Sequence, residues 1–151
     1  MKGQIVYLDS SAIVKRYVKE SGSDFVRELY LKAYSGDLKI SYSLWNIGET
    51  LGVFDRARHT GRLDENSFKI VRERFLLETR RAVKLGILVI APVRTRFLME
   101  AWKLIEDYHI YEADALQITT AKNLNAKSFV TADRKLHEIA EKEDLQSVCL
   151  D

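Results

Sequence analysis

Four carboxylates in this 151-residue chain sit where an acid is hard to explain as surface decoration. Asp9 closes the run Gln4-Ile5-Val6-Tyr7-Leu8, an apolar stretch of the kind that forms a buried parallel strand. Asp133 follows Ser128-Phe129-Val130-Thr131 in the same way. Ligands of open α/β sheets bind just beyond the carboxyl ends of the strands, so both acids fall where such a fold keeps its chemistry. Glu49 lies inside a helical pattern with Trp45, Gly52 and Val53 one turn away. Asp114 lies in a first helical turn, with Ile110, Tyr111, Gln117 and Ile118 at the matching offsets. Neither has a Lys or Arg one turn away. By contrast, Glu28 with Lys32, Glu73 with Lys69, Glu78 with Arg74 and Glu138 with Lys142 read as ordinary i,i+4 surface pairs.

Burying an unpaired carboxylate costs on the order of several kcal/mol, so a cation is its natural compensation. An all-oxygen donor set suits Mg²⁺ or Mn²⁺. Zinc is disfavoured, because His59, His109 and His137 are dispersed with no H-x-x-H or C-x-x-C spacing. Carboxylate-held divalent ions orient a water, lower its pKa and neutralise charge developing on a phosphodiester. The competing reading of Asp9 and Asp133 is a helix N-cap, a common use of Asp.

A polyanion would need a basic rim. Arg56 lies two turns along the helical face of Glu49, and Arg58, His59 and Arg62 extend that patch. Lys15 and Arg16 follow Asp9, and Arg134 and Lys135 follow Asp133. Lys69, Arg72, Arg80, Arg81 and Lys84 are interspersed with Glu65, Glu73 and Glu78, which is the pattern of a solvated face. Tyr17, Trp45, Tyr108 and Tyr111 are candidates to stack on bases, with core packing the expectation for most of them.

The elements that must position these groups alternate. A strand at 5–8 precedes helical patterns at 12–18 and 24–33, the second with Ser23 as its expected cap. After the turn Gly36-Asp37, a strand at 38–41 leads to a helix at 44–59, ended by Gly61. A long helix at 64–85 is stopped by Gly86. An apolar run at 87–91 closes at Pro92. Helices at 95–108 and 112–124, a strand at 128–131, a helix at 134–142 and an edge strand at 147–150 complete the chain. This alternation predicts one three-layer α/β domain over residues 1–151, with a mainly parallel sheet.

Composition agrees with that reading. The chain is 46% hydrophobic and 30% charged, as ordinary globular domains are, and one domain is what its length accommodates. The longest apolar runs fall well short of the roughly 20 residues of a membrane span. Met1-Lys2-Gly3-Gln4 leads into a strand with no signal-peptide core, and Cys149 is the one cysteine, so a reducing cytoplasm is expected.

Taken in order, Tyr7-Leu8-Asp9-Ser10-Ser11-Ala12, the helix-borne Glu49, Ala113-Asp114-Ala115 and Val130-Thr131-Ala132-Asp133 resemble a PIN domain, in the spacing of its VapC-like toxins. The resemblance covers essentially the whole chain. It implies a metal-dependent endoribonuclease with Asp9, Glu49, Asp114 and Asp133 as the acidic quartet holding Mg²⁺ or Mn²⁺. It also implies supporting hydroxyls at Thr131 and Ser11, and attack by a metal-activated water instead of the ribose 2′-OH. RNA as substrate, a homodimer and a small inhibitory antitoxin are implied with it. From the basic rim, Arg56, Arg16 and Arg134 are the expected RNA contacts. The long 64–85 helix departs from the most compact such toxins.

Two other classes compete. A PIN-like module that binds RNA or protein in a processing complex without cutting would have no need of an intact quartet. A phosphoryl-accepting receiver or a phosphatase would want a second acid close to Asp9, where Ser10 and Ser11 stand.

Overall fold

The computed structural model describes residues 3–150; Met1, Lys2 and Asp151, including the start of the expected lead-in to the first strand, lie outside the described residues. The elements run β1 (Ile5–Leu8), α1 (Ser10–Tyr17), α2 (Ser23–Tyr34), β2 (Lys39–Ser43), α3 (Leu44–His59) and α4 (Glu65–Lys84). They continue with β3 (Leu88–Ala91), α5 (Thr95–Tyr108), α6 (Glu112–Asn123), β4 (Ser128–Thr131), α7 (Arg134–Lys142) and β5 (Gln146–Cys149). All five described strands are parallel, in the order β3-β2-β1-β4-β5. The chain begins at the centre, builds outward through β2 and β3, then crosses back to β4. The strand order therefore reverses between β1 and β4, and the crevice beyond their carboxyl ends is the ligand position of such a sheet. Helices cover both faces, giving three layers.

The central strands are buried because they are apolar throughout. Tyr7 and Phe129 are register partners on β1 and β4 and stack with ring centroids 5.5 Å apart. On the α1–α3–α4 side, Tyr17, Phe54 and Phe75 meet edge to face at 5.3–6.5 Å. Pairs of this kind add roughly 0.5–1.5 kcal/mol beyond their burial.

Local chemistry moves several boundaries from their expected places. Helix α1 begins at Ser10, two residues early, because the Asp9 carboxylate caps it by accepting from the Ala12 N–H at 3.0 Å. Strand β2 extends to Ser43, which caps α3 in a capping box with Asn46. Ser23 is the first residue of α2 and not its cap; Gly22 holds that place, and the Ser23 hydroxyl accepts from the Glu20 N–H. The edge strand lies at 146–149, one residue earlier than expected. Gly61 and Gly86 follow their helices with positive φ, as stop signals should.

Glu78 is a correction of a different kind. It is not the partner of Arg74 on an open helix face. It accepts from Arg16 Nε and Nη2 (2.9 and 2.8 Å), from the Tyr17 hydroxyl and from the Tyr34 hydroxyl (both 2.9 Å). One half-buried carboxylate thus ties α4 to α1 and α2.

Candidate active site

Asp9 leaves the end of β1 buried, only 5% exposed. Its Oδ1 accepts from Ser11 Oγ at 2.6 Å and from the Ala12 N–H; its Oδ2 accepts from Thr131 Oγ1 at 2.5 Å. Thr131, the last residue of β4, also accepts the Asp133 N–H at 3.0 Å, and Ser11 Oγ accepts the Ala132 N–H at 2.9 Å. The two strand ends are therefore stitched together by hydroxyls across the switch point. Both acids cap helices, Asp133 accepting from Leu136 N–H at 3.1 Å. Capping and site position coexist, since a cap occupies only one of the two carboxylate oxygens.

Glu49 reaches the same end of the sheet from α3. Its Oε1 accepts from Ser10 Oγ at 2.8 Å, with Asn46 Nδ2 at 3.4 Å. Asp114 lies half-buried in the first turn of α6. The acids sense one another. Burial pushes the Asp9 carboxyl up to about 6, with the Asp133 charge adding to it and hydrogen bonds from Ser11, Thr131 and Ala12 opposing it. Asp114 is raised by burial, then by Asp133 and Glu49, and is pulled back by Lys135. Asp133 is thus within electrostatic reach of both Asp9 and Asp114, and Glu49 within reach of Asp114, at the carboxyl edge of the sheet.

A hard divalent cation fits the chemistry of this donor set, which offers carboxylate oxygens and no soft ligand. Among the described residues, no three carboxylate, imidazole or thiolate side chains are gathered into a ready-made cage. Mg²⁺ tolerates that well, because it keeps several waters and takes only one or two carboxylates directly.

The expected rim residues separate. Arg56 is exposed and lines a cleft of about 470 Å³ together with Glu49, Ser10 and Trp45. A neighbouring groove of about 610 Å³ joins Ser11 and Ala132 to Arg56 and Arg62. Arg134 is exposed directly after Asp133. Arg16 points elsewhere, its guanidinium committed to Glu78 and stacked 4.5 Å from the Tyr30 ring. Of the aromatics, Tyr17 is buried and Tyr108 donates to Glu143, whereas Trp45 (48%) and Tyr111 (80%) stand exposed beside the acids. Sequence reasoning missed Ser10, Asn46, Tyr7 and Gln117 as supports. The available signal was Ser43-x-x-Asn46, a capping-box spacing immediately before Glu49.

The family model described as PIN domain matches residues 6–142. No curated protein matches the sequence. Among solved structures, the chain is similar to VapC20 of Mycobacterium tuberculosis, a toxin that cleaves the sarcin–ricin loop. The TM-score is 0.64 at 12% identity, covering 89% of this chain and 94% of that one. A chain of VapBC2 from Rickettsia felis, solved with a DNA fragment from their promoter, gives 0.61 at 19% identity over 98% and 100%. VapBC-1 from nontypeable Haemophilus influenzae gives 0.61 at 16% identity over 97% and 98%. At these identities the likeness is one of fold.

Proposed function

The chain belongs to the PIN domain family, and from that premise we propose that it is a Mg²⁺- or Mn²⁺-dependent endoribonuclease, the toxin of a VapBC-type pair. The observation that carries this reading is the convergence of four acids at the carboxyl edge of the sheet, where Asp9 is buried and Asp114 is raised by burial and by the charges of Asp133 and Glu49. Such a cluster is costly in a metal-free protein and is relieved by a cation.

Asp9, Glu49, Asp114 and Asp133 would hold the ion. When bound, it supplies an activated water and neutralises charge on the phosphodiester. The rest of the work falls to the chain. Thr131 and Ser11 fix both oxygens of Asp9 while their own backbone acceptances lock the turn before Asp133. Ser10 and Asn46 hold Glu49 Oε1. Arg56 and Arg134 bind RNA phosphates, and Lys135 tempers the charge on Asp114. Trp45 and Tyr111 present exposed rings on which unpaired bases can stack. Arg16 is left out of RNA binding in this reading, because Glu78 accepts from its Nε and Nη2 in a two-pronged pair.

The same reading makes residues 1–151 one functional unit in the cytoplasm, acting as a homodimer and held in check by a small antitoxin. The toxin–antitoxin structures it is similar to support that partner. No helix among the described residues is long and apolar enough to cross a membrane, and no membrane partner is proposed.

The test is incubation with a mixed single-stranded and structured RNA pool in Mg²⁺, Mn²⁺ or EDTA, beside Asp114→Asn. Cutting that needs metal and vanishes in the variant supports the nuclease. RNA retention without cutting in any metal would favour the alternative, a non-catalytic binding module of the same family.

A further inference from the structure

A second polar system lies beneath the acids, and none of its members belongs to the quartet. The Tyr7 hydroxyl donates to Gln117 Oε1 at 2.6 Å, with Asn46 Oδ1 on its other side at 3.2 Å. Asn46 Oδ1 also accepts the Ser43 N–H at 2.8 Å, which fixes its amide so that Nδ2 donates to Ser10 Oγ at 2.8 Å. Ser10 Oγ then donates to Glu49 Oε1. Every bond from Asn46 onward points a proton at that one oxygen, and Glu49 Oε2 has no hydrogen-bond partner among the described residues. Tyr7 and Asn46 are 0% exposed and Gln117 is 2% exposed, so these bonds form out of reach of bulk water.

The placement of these residues along the chain gives the network its meaning. Tyr7 is two residues before Asp9 at the end of β1. Asn46 is one helical turn before Glu49 on α3, and Gln117 one turn after Asp114 on α6. Residues three apart on a helix share a face. Each of three acids is therefore anchored, on its own element, to a residue of one buried cluster. Helices α3 and α6 come from separate crossovers and are joined here through a strand between them. An amide pair and a phenol cost more to bury than leucines of similar size, which a merely packed core would have used.

We propose that Asn46, Tyr7 and Gln117 are positioning residues that set the separation of Glu49 and Asp114 and fix the Glu49 rotamer, and so set the affinity for the divalent ion. The assignment rests on the metal-dependent reading above. Groups that orient metal ligands typically change metal affinity by roughly 10–100-fold when removed.

The experiment is calorimetric titration of RNA-free protein with Mn²⁺, for wild type, Asn46→Ala, Ser10→Ala and Tyr7→Phe, each with a thermal melt. Tyr7→Phe keeps the ring stacked on Phe129 and removes only the hydroxyl. Ser10 is half-exposed, so its variant stays folded even where Asn46→Ala does not. The expected result is folded variants whose Mn²⁺ dissociation constants rise roughly 10-fold or more. In the Asn46/Ser10 double variant the losses should be less than multiplicative, because both residues act on one Glu49 oxygen. Folded variants that bind Mn²⁺ as the wild type does would reduce the network to core packing and leave the nuclease reading intact. A wild type that takes up no Mn²⁺ would overturn the metal reading, and the network's role with it.

Discussion

Replacing Asp9 by Asn should stabilise the metal-free protein while destroying its activity. The Asp9 carboxyl is pushed up to about 6 from an ordinary 3.8, mainly by burial. At about 1.36 kcal/mol per unit, ionising it in the folded state costs roughly 3 kcal/mol more than in the unfolded chain. The sign follows from proton binding. Below pH 3.8 both states are protonated and nothing is lost. Between 3.8 and about 6 the folded state binds the extra proton, so stability falls as pH rises. Above about 6 the whole cost is present. Asparagine keeps the oxygen that accepts from Ser11 and Ala12, and its amide faces Thr131, whose hydroxyl must turn to accept; that reorientation trims the gain. Urea unfolding of both proteins in EDTA should show the variant's advantage growing by roughly 2–3 kcal/mol from pH 3.5 to pH 7.5. Excess Mg²⁺ at pH 7.5 should then stabilise the wild type and leave the variant unchanged. A difference between the two that is flat with pH would refute the claim that Asp9 carries a desolvated charge.

Other substitutions separate the roles assigned above. Asp114→Asn should abolish cleavage with an unchanged circular dichroism spectrum, since it removes charge and keeps shape. Arg56→Ala should weaken RNA binding and reduce the slope of log affinity against log salt by about 1, leaving Mn²⁺ affinity in place. Arg16→Ala should do the reverse: the salt slope stays, while stability in urea drops by about 1–3 kcal/mol because Glu78 loses its charged donors. Thr131→Val strips the hydroxyl shared by Asp9 and the Asp133 N–H, so it should cost about 1–3 kcal/mol and move the titration of Asp9, followed by carboxyl-carbon NMR, further upward.

The parts of this site that could be read in advance were those with a local signature. An acid within two residues of the end of a strand-like run marks a strand end, which made Asp9 and Asp133 visible. The absence of a cation one turn away singled out Glu49 and Asp114. The alternation of strands and helices carried the three-layer architecture, and the structure made the mainly parallel sheet wholly parallel. What stayed hidden depends on contacts between distant residues. Glu78 looked like a partner of Arg74 because they are four apart, yet its donors lie 44 to 62 residues away. Arg16 looked available to RNA because it follows Asp9, while the acceptor that engages it lies 62 residues away. Asn46 carried one local hint, its capping-box spacing from Ser43, but nothing local marks Gln117 as buried or ties either residue to the acids. Only the fold, by placing Tyr7 between them, reveals a network.

The most direct test of the central claim, hydrolysis by a metal-activated water held by the quartet, is the chemistry of the cut ends. RNA cleaved in Mn²⁺ should carry no 2′,3′-cyclic phosphate, and a substrate with a 2′-deoxy sugar at the cleavage site should still be cut. EDTA or Asp114→Asn should stop both reactions. Cyclic phosphate ends, or cutting that persists in EDTA and requires the 2′-OH, would mean that the ribose is the nucleophile and that the four acids are not the engine of the reaction.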